Sequence, residues 1–246
     1  MKIPIARPPW TQKGKKLESM CRKALFDFSL LDQAKGIALA LSGGKDSLAL
    51  LFLLKAILGN GFPDLPLVAI HVQGEFSCGA SVHEDFLRSI CQELRVHLII
   101  RESTQKLESL ACYRCSRERR KLIFDTAKEE GFNVIAFGHH RDDSTETLLL
   151  NLLHKGEFAA NLPKVPMHDY GVTIIRPLIY VPEREITEFA KLYGFARITC
   201  QCPVGQRSKR VVVKRLIEQM KDDFPNAATN LALAAQQYGS KKALEN

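Results

Sequence analysis

"IALALSGGKDSLALLFLLKA", residues 37–56, is the stretch that decides the fold. An apolar run at 37–41 breaks into Ser42-Gly43-Gly44-Lys45-Asp46-Ser47 and then resumes with the pattern of a buried helix. Strand, glycine turn and helix in that order make an anion site at a helix N-terminus. The Gly-Lys pair suggests the G-x-x-x-x-G-K-[ST] loop, but that pattern fails at Leu39 and at Asp46. What remains is still a phosphate-loop chemistry. Gly43 and Gly44 let the backbone turn and align several N–H groups, Lys45 supplies a point charge, and Ser42 and Ser47 add hydroxyl donors. A carboxylate beside a phosphate is repulsive unless it holds a cation, so Asp46 is assigned to Mg2+ bridging the phosphate oxygens. The plainer alternative is a tight turn whose helix is capped by Asp46 and Ser47.

The bulk composition allows one large domain, or a domain with appendages. The chain has 246 residues, 46% of them hydrophobic, which suffices for a sizeable core. Its formal charge of +8 points to a polyanionic partner. The first residues, "MKIPIARPPWTQKGKK", lack the apolar segment of a secretory signal, and no apolar run is long enough for a membrane span. Seven cysteines in such a chain read as free thiols, metal ligands or redox groups in a reducing compartment. The expected location is cytoplasmic, with no membrane association.

Outward from the loop, strand and helix patterns alternate. Strand candidates fall at 37–41, 67–72, 97–101, 133–137 and 172–176. Helical patterns fall at 47–58, 82–94, 115–130, 143–154 and 183–193, with a basic helix at about 208–221. The expectation is an α/β fold: a five-stranded parallel, Rossmann-like sheet with helices on both faces and a short C-terminal helical appendage. Residues 1–14 read as a flexible basic arm, 15–182 as the main domain, and 183–246 as a helical extension. In an open parallel sheet ligands sit beyond the carboxyl ends of the strands. That rule gathers 42–47, His71 and 138–143 on one rim.

A second motif lies at 137–153, "FGHHRDDSTETLLLNLL". Gly138 permits close approach at a strand end. Asp142 and Asp143 can hold a metal, position a nucleophile, or cap the leucine-rich helix that follows. His139 and His140 read as orienting or packing residues. S-G-G-K-D-S after a strand, followed by G-H-x-x-D-D-x-x-E-T, resembles the PP-loop, or N-type, ATP pyrophosphatases in their tRNA-modifying branch. The resemblance implies the adenine-nucleotide-hydrolase type of sheet. It also implies cleavage of ATP between the α and β phosphates with transfer of AMP to a carbonyl oxygen. On it, ATP contacts Ser42, Gly43, Gly44, Lys45, Asp46, Ser47, His71 and Gly138, and the catalytic set is Lys45, Asp46, Asp142 and Asp143.

The cysteines carry the rest. Cys112 and Cys115 form a C-x-x-C ahead of a basic helix, a spacing shared by thiol, zinc and iron–sulfur chemistry. A second cluster, "ITCQCPVGQRSKR", holds Cys200 and Cys202, and a four-thiolate zinc site is the sober alternative. C-x-x-C-S-x-x-R-R and "IRPLIYVPEREITEFA" resemble the tRNA 2-thiocytidine synthetases, over roughly residues 15–225. The resemblance implies a [4Fe-4S] cluster on Cys112, Cys115 and Cys202, with Cys200 as the competing third position. Cys78 lies in a loop that departs from the family pattern, and Cys21 and Cys91 read as core.

The resemblance further implies ATP-dependent sulfur transfer to C2 of a cytidine in the anticodon loop, at position 32, with tRNA and a cysteine-desulfurase-type donor as partners and a homodimer as the assembly. The basic residues Arg117, Arg119, Arg120, Arg207, Lys209 and Arg210 are the expected tRNA contacts. Three other readings compete: a tRNA-lysidine synthetase-like enzyme, a 2-thiouridine-forming relative, and a zinc-structured RNA-binding protein without catalysis.

Overall fold

A computed structural model describes residues 4–74, 84–104, 112–196 and 209–239. Its elements run α1 (Gln12–Asp27), β1 (Ile37–Ala40), α2 (Lys45–Ile57), β2 (Leu67–Gln73), α3 (Glu84–Leu94), β3 (His97–Glu102), α4 (Cys112–Glu129) and β4 (Val134–Ala136). They continue with α5 (Arg141–Lys155), β5 (Lys164–Met167), β6 (Val172–Ile175), α6 (Glu183–Tyr193), α7 (Lys209–Asp223) and α8 (Ala227–Tyr238). The sheet order is β3-β2-β1-β4-β6-β5, parallel throughout except for β5, which pairs antiparallel with β6.

The expected five strands are therefore six. The five apolar runs became the parallel strands, and the extra member is the edge strand β5, four residues that include Pro166. Proline removes a ladder donor and is tolerated on an edge, where no outer neighbour needs its N–H.

Alternation along the strands explains why both faces are covered. Ile37 and Leu39 point into one core with α1, α2 and α6, while Ala38 and Ala40 point into the other with α4. Helix α2 is buried along 47–54, wedged between the sheet and α1 and α6. On the first face Phe189 meets Trp10 and Phe195 edge-on, with ring centroids 5.7 and 5.8 Å apart. The segment ahead of α1, read from sequence as part of an arm, buries Ala6 and Trp10 in that core, and Arg7 pairs with Glu93. A smaller core of Val213, Ile217 and Ala228 seats α7 and α8 on Leu149 and Leu150 of α5. No helix among the described residues is long and apolar enough to cross a membrane.

Strand order reverses between β1 and β4, since their successors β2 and β6 lie on opposite sides. The crevice at that switch point is bordered by the loop after β1 and the turn after β4. The chemistry-bearing motifs sit on those two connections.

Candidate functional site

The loop 42–47 leaves the first amides of α2 without a capping side chain. Gly43 adopts φ +83°, the left-handed conformation that costs a side-chain-bearing residue most. Gly44 is the N-cap of α2 and provides no capping side chain, so the first N–H groups of α2 keep their donors available. Ser42 and Ser47 instead brace the turn: their hydroxyls lie 3.0 Å apart, Gly44 N donates to Ser42 Oγ, and Ser47 Oγ donates to Gly44 O. The arrangement is a helix N-terminus open to an anion.

Two neighbours hold this loop in place. His71 is buried under it, its Nδ1 2.7 Å from Leu41 O. Burial depresses its pKa despite the Leu41 hydrogen bond, so the ring is neutral and donates to that carbonyl. Gly138 lies against the first turn of α2. A Cβ there would fall 3.0 Å from both Asp46 C and Ser47 N, so the turn after β4 can approach only as glycine.

Beyond Gly138 the turn enters α5 through a capping box. His140 is the N-cap, accepting from Asp143 N through Nδ1, while His140 N donates to Asp143 Oδ2 at 3.0 Å. Burial would raise the Asp143 pKa, but His140, His139 and the His140 N–H hold it low. Asp142 is not spent on α5. Its Oδ2 accepts the Glu183 N–H at 2.8 Å, which ties α5 to the start of α6. His139 stacks on Phe137, with ring centroids 5.6 Å apart, and its Nδ1 has no partner. Burial, then the charges of Arg176, Arg120 and Arg210, depress its pKa to about 3.

Glu183, which the sequence reading passed over, is the hub of the cleft. Lys45 Nζ lies 2.8 Å from Asp46 Oδ1 and 3.2 Å from Glu183 Oε1, and Lys214 Nζ lies 2.6 Å from Glu183 Oε2. Burial opposes these charges, yet the Lys214 hydrogen bond and the Lys45 charge bring Glu183 down to about 2. Burial likewise pulls Lys45 down, and Asp46 and Glu183 more than offset it, so its pKa is raised. The one signal available in sequence was Pro182-Glu183, a proline followed by an acid at a helix start.

The remaining expected residues separate into three groups. Arg119 and Arg120 lie on α4; Arg119 Nη2 donates to Val72 O at 3.0 Å, at the carboxyl end of β2. Arg117 is exposed on the same helix. Arg210 on α7 reaches Thr147 Oγ1 of α5 at 3.3 Å, and Lys209 is exposed beside it. Cys112 and Cys115 fall in the first turn of α4, and Cys115 precedes Arg119 by one turn, about 6 Å of rise. Cys202, Cys200, Cys78 and Arg207 lie outside the described residues. Among the described residues no group of three His, Cys, Asp or Glu is arranged to hold a metal. Cys21 and Cys91 are buried core thiols whose pKa values are pushed up to about 12 and about 11 by burial.

Comparison with known proteins agrees with this geometry. The PP-loop domain family matches residues 9–220. The tRNA-cytidine(32) 2-sulfurtransferase of Syntrophotalea carbinolica is 36% identical over 225 residues, covering 88% of this chain and 86% of that protein. The protein of the same name from Geobacter metallireducens is 32% identical over 241 residues, covering 91% and 90%. Among solved structures, the U34-tRNA thiolase NcsA from Methanococcus maripaludis, with its [4Fe-4S] cluster, superimposes with a TM-score of 0.75. It is 24% identical and covers 92% of this chain and 78% of its own, a likeness of fold.

Proposed function

We propose, from the premise that this chain belongs to the PP-loop family, that it is an ATP-dependent tRNA sulfurtransferase converting cytidine, at position 32 of the anticodon loop, to 2-thiocytidine. The observation that carries this reading is the meeting, at one switch point, of an uncapped helix N-terminus and the turn that carries Asp142 and Asp143, with Gly138 packed on the first turn of α2. The relatives named for this reaction, matched over nearly the whole chain, supply the substrate.

ATP lies with its β and γ phosphates against the amides of 42–47 and Lys45; Asp46 would hold Mg2+, which would offset the phosphate charge. The C2 carbonyl oxygen of the flipped cytidine attacks the α phosphate and pyrophosphate leaves. The loop amides and Lys45 stabilise the charge that develops on the departing pyrophosphate. Sulfide then adds at C2 and AMP departs with the former carbonyl oxygen. Asp143 and His140 hold the α5 entrance rigid, while Asp142 fixes α6 against it. His71 supports the loop from beneath rather than facing solvent.

A [4Fe-4S] cluster held by Cys112, Cys115 and Cys202 would supply an exchangeable thiophilic iron for sulfide. Two of the three cysteines, three positions apart in the first turn of α4, have the spacing such a cluster needs. Sulfide comes from a cysteine-desulfurase-type donor, and the working unit is a homodimer. Residues 15–182, with the segment ahead of α1 and helix α6 packed into the same core, form the catalytic domain. The extension 183–246 contributes Glu183, Lys214, the third cysteine and, with Arg207, Lys209 and Arg210, part of the tRNA surface; Arg117, Arg119 and Arg120 supply the rest.

Two variants separate the half-reactions. Cys112→Ser should abolish thiolation and the cluster absorbance while MgATP still binds, and Lys45→Ala should keep the cluster and lose pyrophosphate release. Thiolation at the wild-type rate by Cys112→Ser would overturn the cluster's role.

A further inference from the structure

Lys45, the cation of the phosphate loop, is held by two carboxylates, Asp46 and Glu183, in a cleft read as accepting a polyphosphate. Before MgATP brings the cation that Asp46 would hold, those three groups formally sum to one negative charge, which opposes its entry. The balance is restored from outside the sheet domain: Lys214 of α7 grips the other Glu183 oxygen at 2.6 Å. The Glu183 backbone is fixed at the start of α6, its N–H bonded to Asp142, and its carboxylate is held between Lys45 and Lys214. The result is a fixed row, Asp46–Lys45–Glu183–Lys214, with the loop lysine in the middle and a neutral total. The row is flanked by Asp142, whose carboxylate accepts the Glu183 N–H, by Glu146 of α5, which acts on Lys214, and by His140, whose ring lies 3.9 Å from Asp46; Arg210, one turn before Lys214 on α7, acts on Glu146.

Resting on the reading that ATP binds on 42–47, we propose that Glu183 is a positioning residue that aims the Lys45 ammonium at the departing pyrophosphate. Lys214 is the counter-charge that lets ATP enter beside it. Two consequences separate this from plain bracing. Removing the Lys214 charge leaves Glu183 free to bind Lys45 more strongly and to repel phosphate, so ATP affinity falls. Removing the Glu183 charge relieves that repulsion but loosens Lys45, so affinity holds while the chemical step slows. The two deletions therefore compensate in binding and not in turnover.

The test uses the full-length, cluster-loaded protein with Lys214→Met, which keeps the aliphatic stem, Glu183→Gln and the double variant. MgATP affinity is measured by calorimetry, turnover by tRNA-dependent pyrophosphate release, and folding by thermal melts. Lys214→Met should raise the ATP Kd about tenfold, the order expected for one partly screened charge a few ångströms away. Lys214→Arg should restore wild-type affinity. Glu183→Gln should keep the Kd at or below wild type and lower kcat about tenfold, the scale of a slightly misplaced catalytic group. The double variant should return the Kd to within about threefold of wild type while its kcat stays low. An unchanged Kd in a folded Lys214→Met protein, or a double variant that binds ATP worse than either single one, overturns the proposal alone. Wild-type protein that binds no ATP overturns the nucleotide reading and the proposal together.

Discussion

Gly138→Ala puts the packing of the cleft to a quantitative test. The added Cβ would sit 3.0 Å from Asp46 C and Ser47 N and 3.2 Å from Asp46 O, all backbone atoms in the first turn of α2. None is the tip of a flexible side chain, so relief requires that helix and turn part by a few tenths of an ångström. Overpacking of this kind costs about 1–3 kcal/mol. In a chain of this size that lowers Tm by about 2–4 °C per kcal/mol. The same displacement moves Lys45 and the loop amides away from the turn that carries Asp142, and misplacement near 1 Å can cost about a hundredfold in rate. Gly44→Ala is the informative companion: its Cβ meets only Ser42 Oγ at 3.4 Å, and Gly44 has φ −69°, which alanine adopts readily. Differential scanning calorimetry and pyrophosphate release should show Gly138→Ala losing both stability and rate, with Gly44→Ala keeping its Tm. Wild-type rate and Tm for Gly138→Ala would refute the claim that close approach of the two connections builds the site.

Two further outcomes follow from the packing and the charges. His139 is held neutral in the fold down to about pH 3, mainly by burial, whereas its unfolded counterpart takes a proton near 6.5. Its contribution to stability is therefore fully present above pH 6.5 and is lost as pH falls from there toward 3. Urea midpoints should fall over that window, and His139→Gln should flatten the fall. Trp10→Ala removes a ring packed edge-on against Phe189 and Tyr193 and should cost about 3–5 kcal/mol by urea unfolding. A loss below 1 kcal/mol would mean that the segment ahead of α1 does not belong to the core.

Much of the fold could be read from the sequence because a doubly covered parallel sheet announces itself in continuous apolar runs such as 37–41 and 67–72. Strand β5 could not be read that way: it is short, holds Pro166, and owes its pairing to β6 rather than to any pattern of its own. Helix α8 was not among the helical segments expected, whereas the apolar helical face expected around Cys21 is that of α1, which carries Leu17, Cys21 and Leu25 into the core. In the site, the loop and the Asp142–Asp143 turn were legible because their function fixes a local pattern of glycines and carboxylates. Glu183 was not. It lies 138 residues from Lys45 and meets it only because α6 begins where the β6 rim ends. At His71 a polar residue at a strand end suggested a ligand contact, and its ring adds a bond to Leu41 O beneath the loop that no local pattern announces.

The most direct measurement is mass spectrometry of tRNA nucleosides after anaerobic incubation of the cluster-loaded protein with unmodified tRNA, MgATP and sulfide. The account predicts 2-thiocytidine at position 32, with one AMP and one pyrophosphate released for each sulfur incorporated. A thiolated uridine, a lysine-modified cytidine, or 2-thiocytidine formed without ATP cleavage would contradict it.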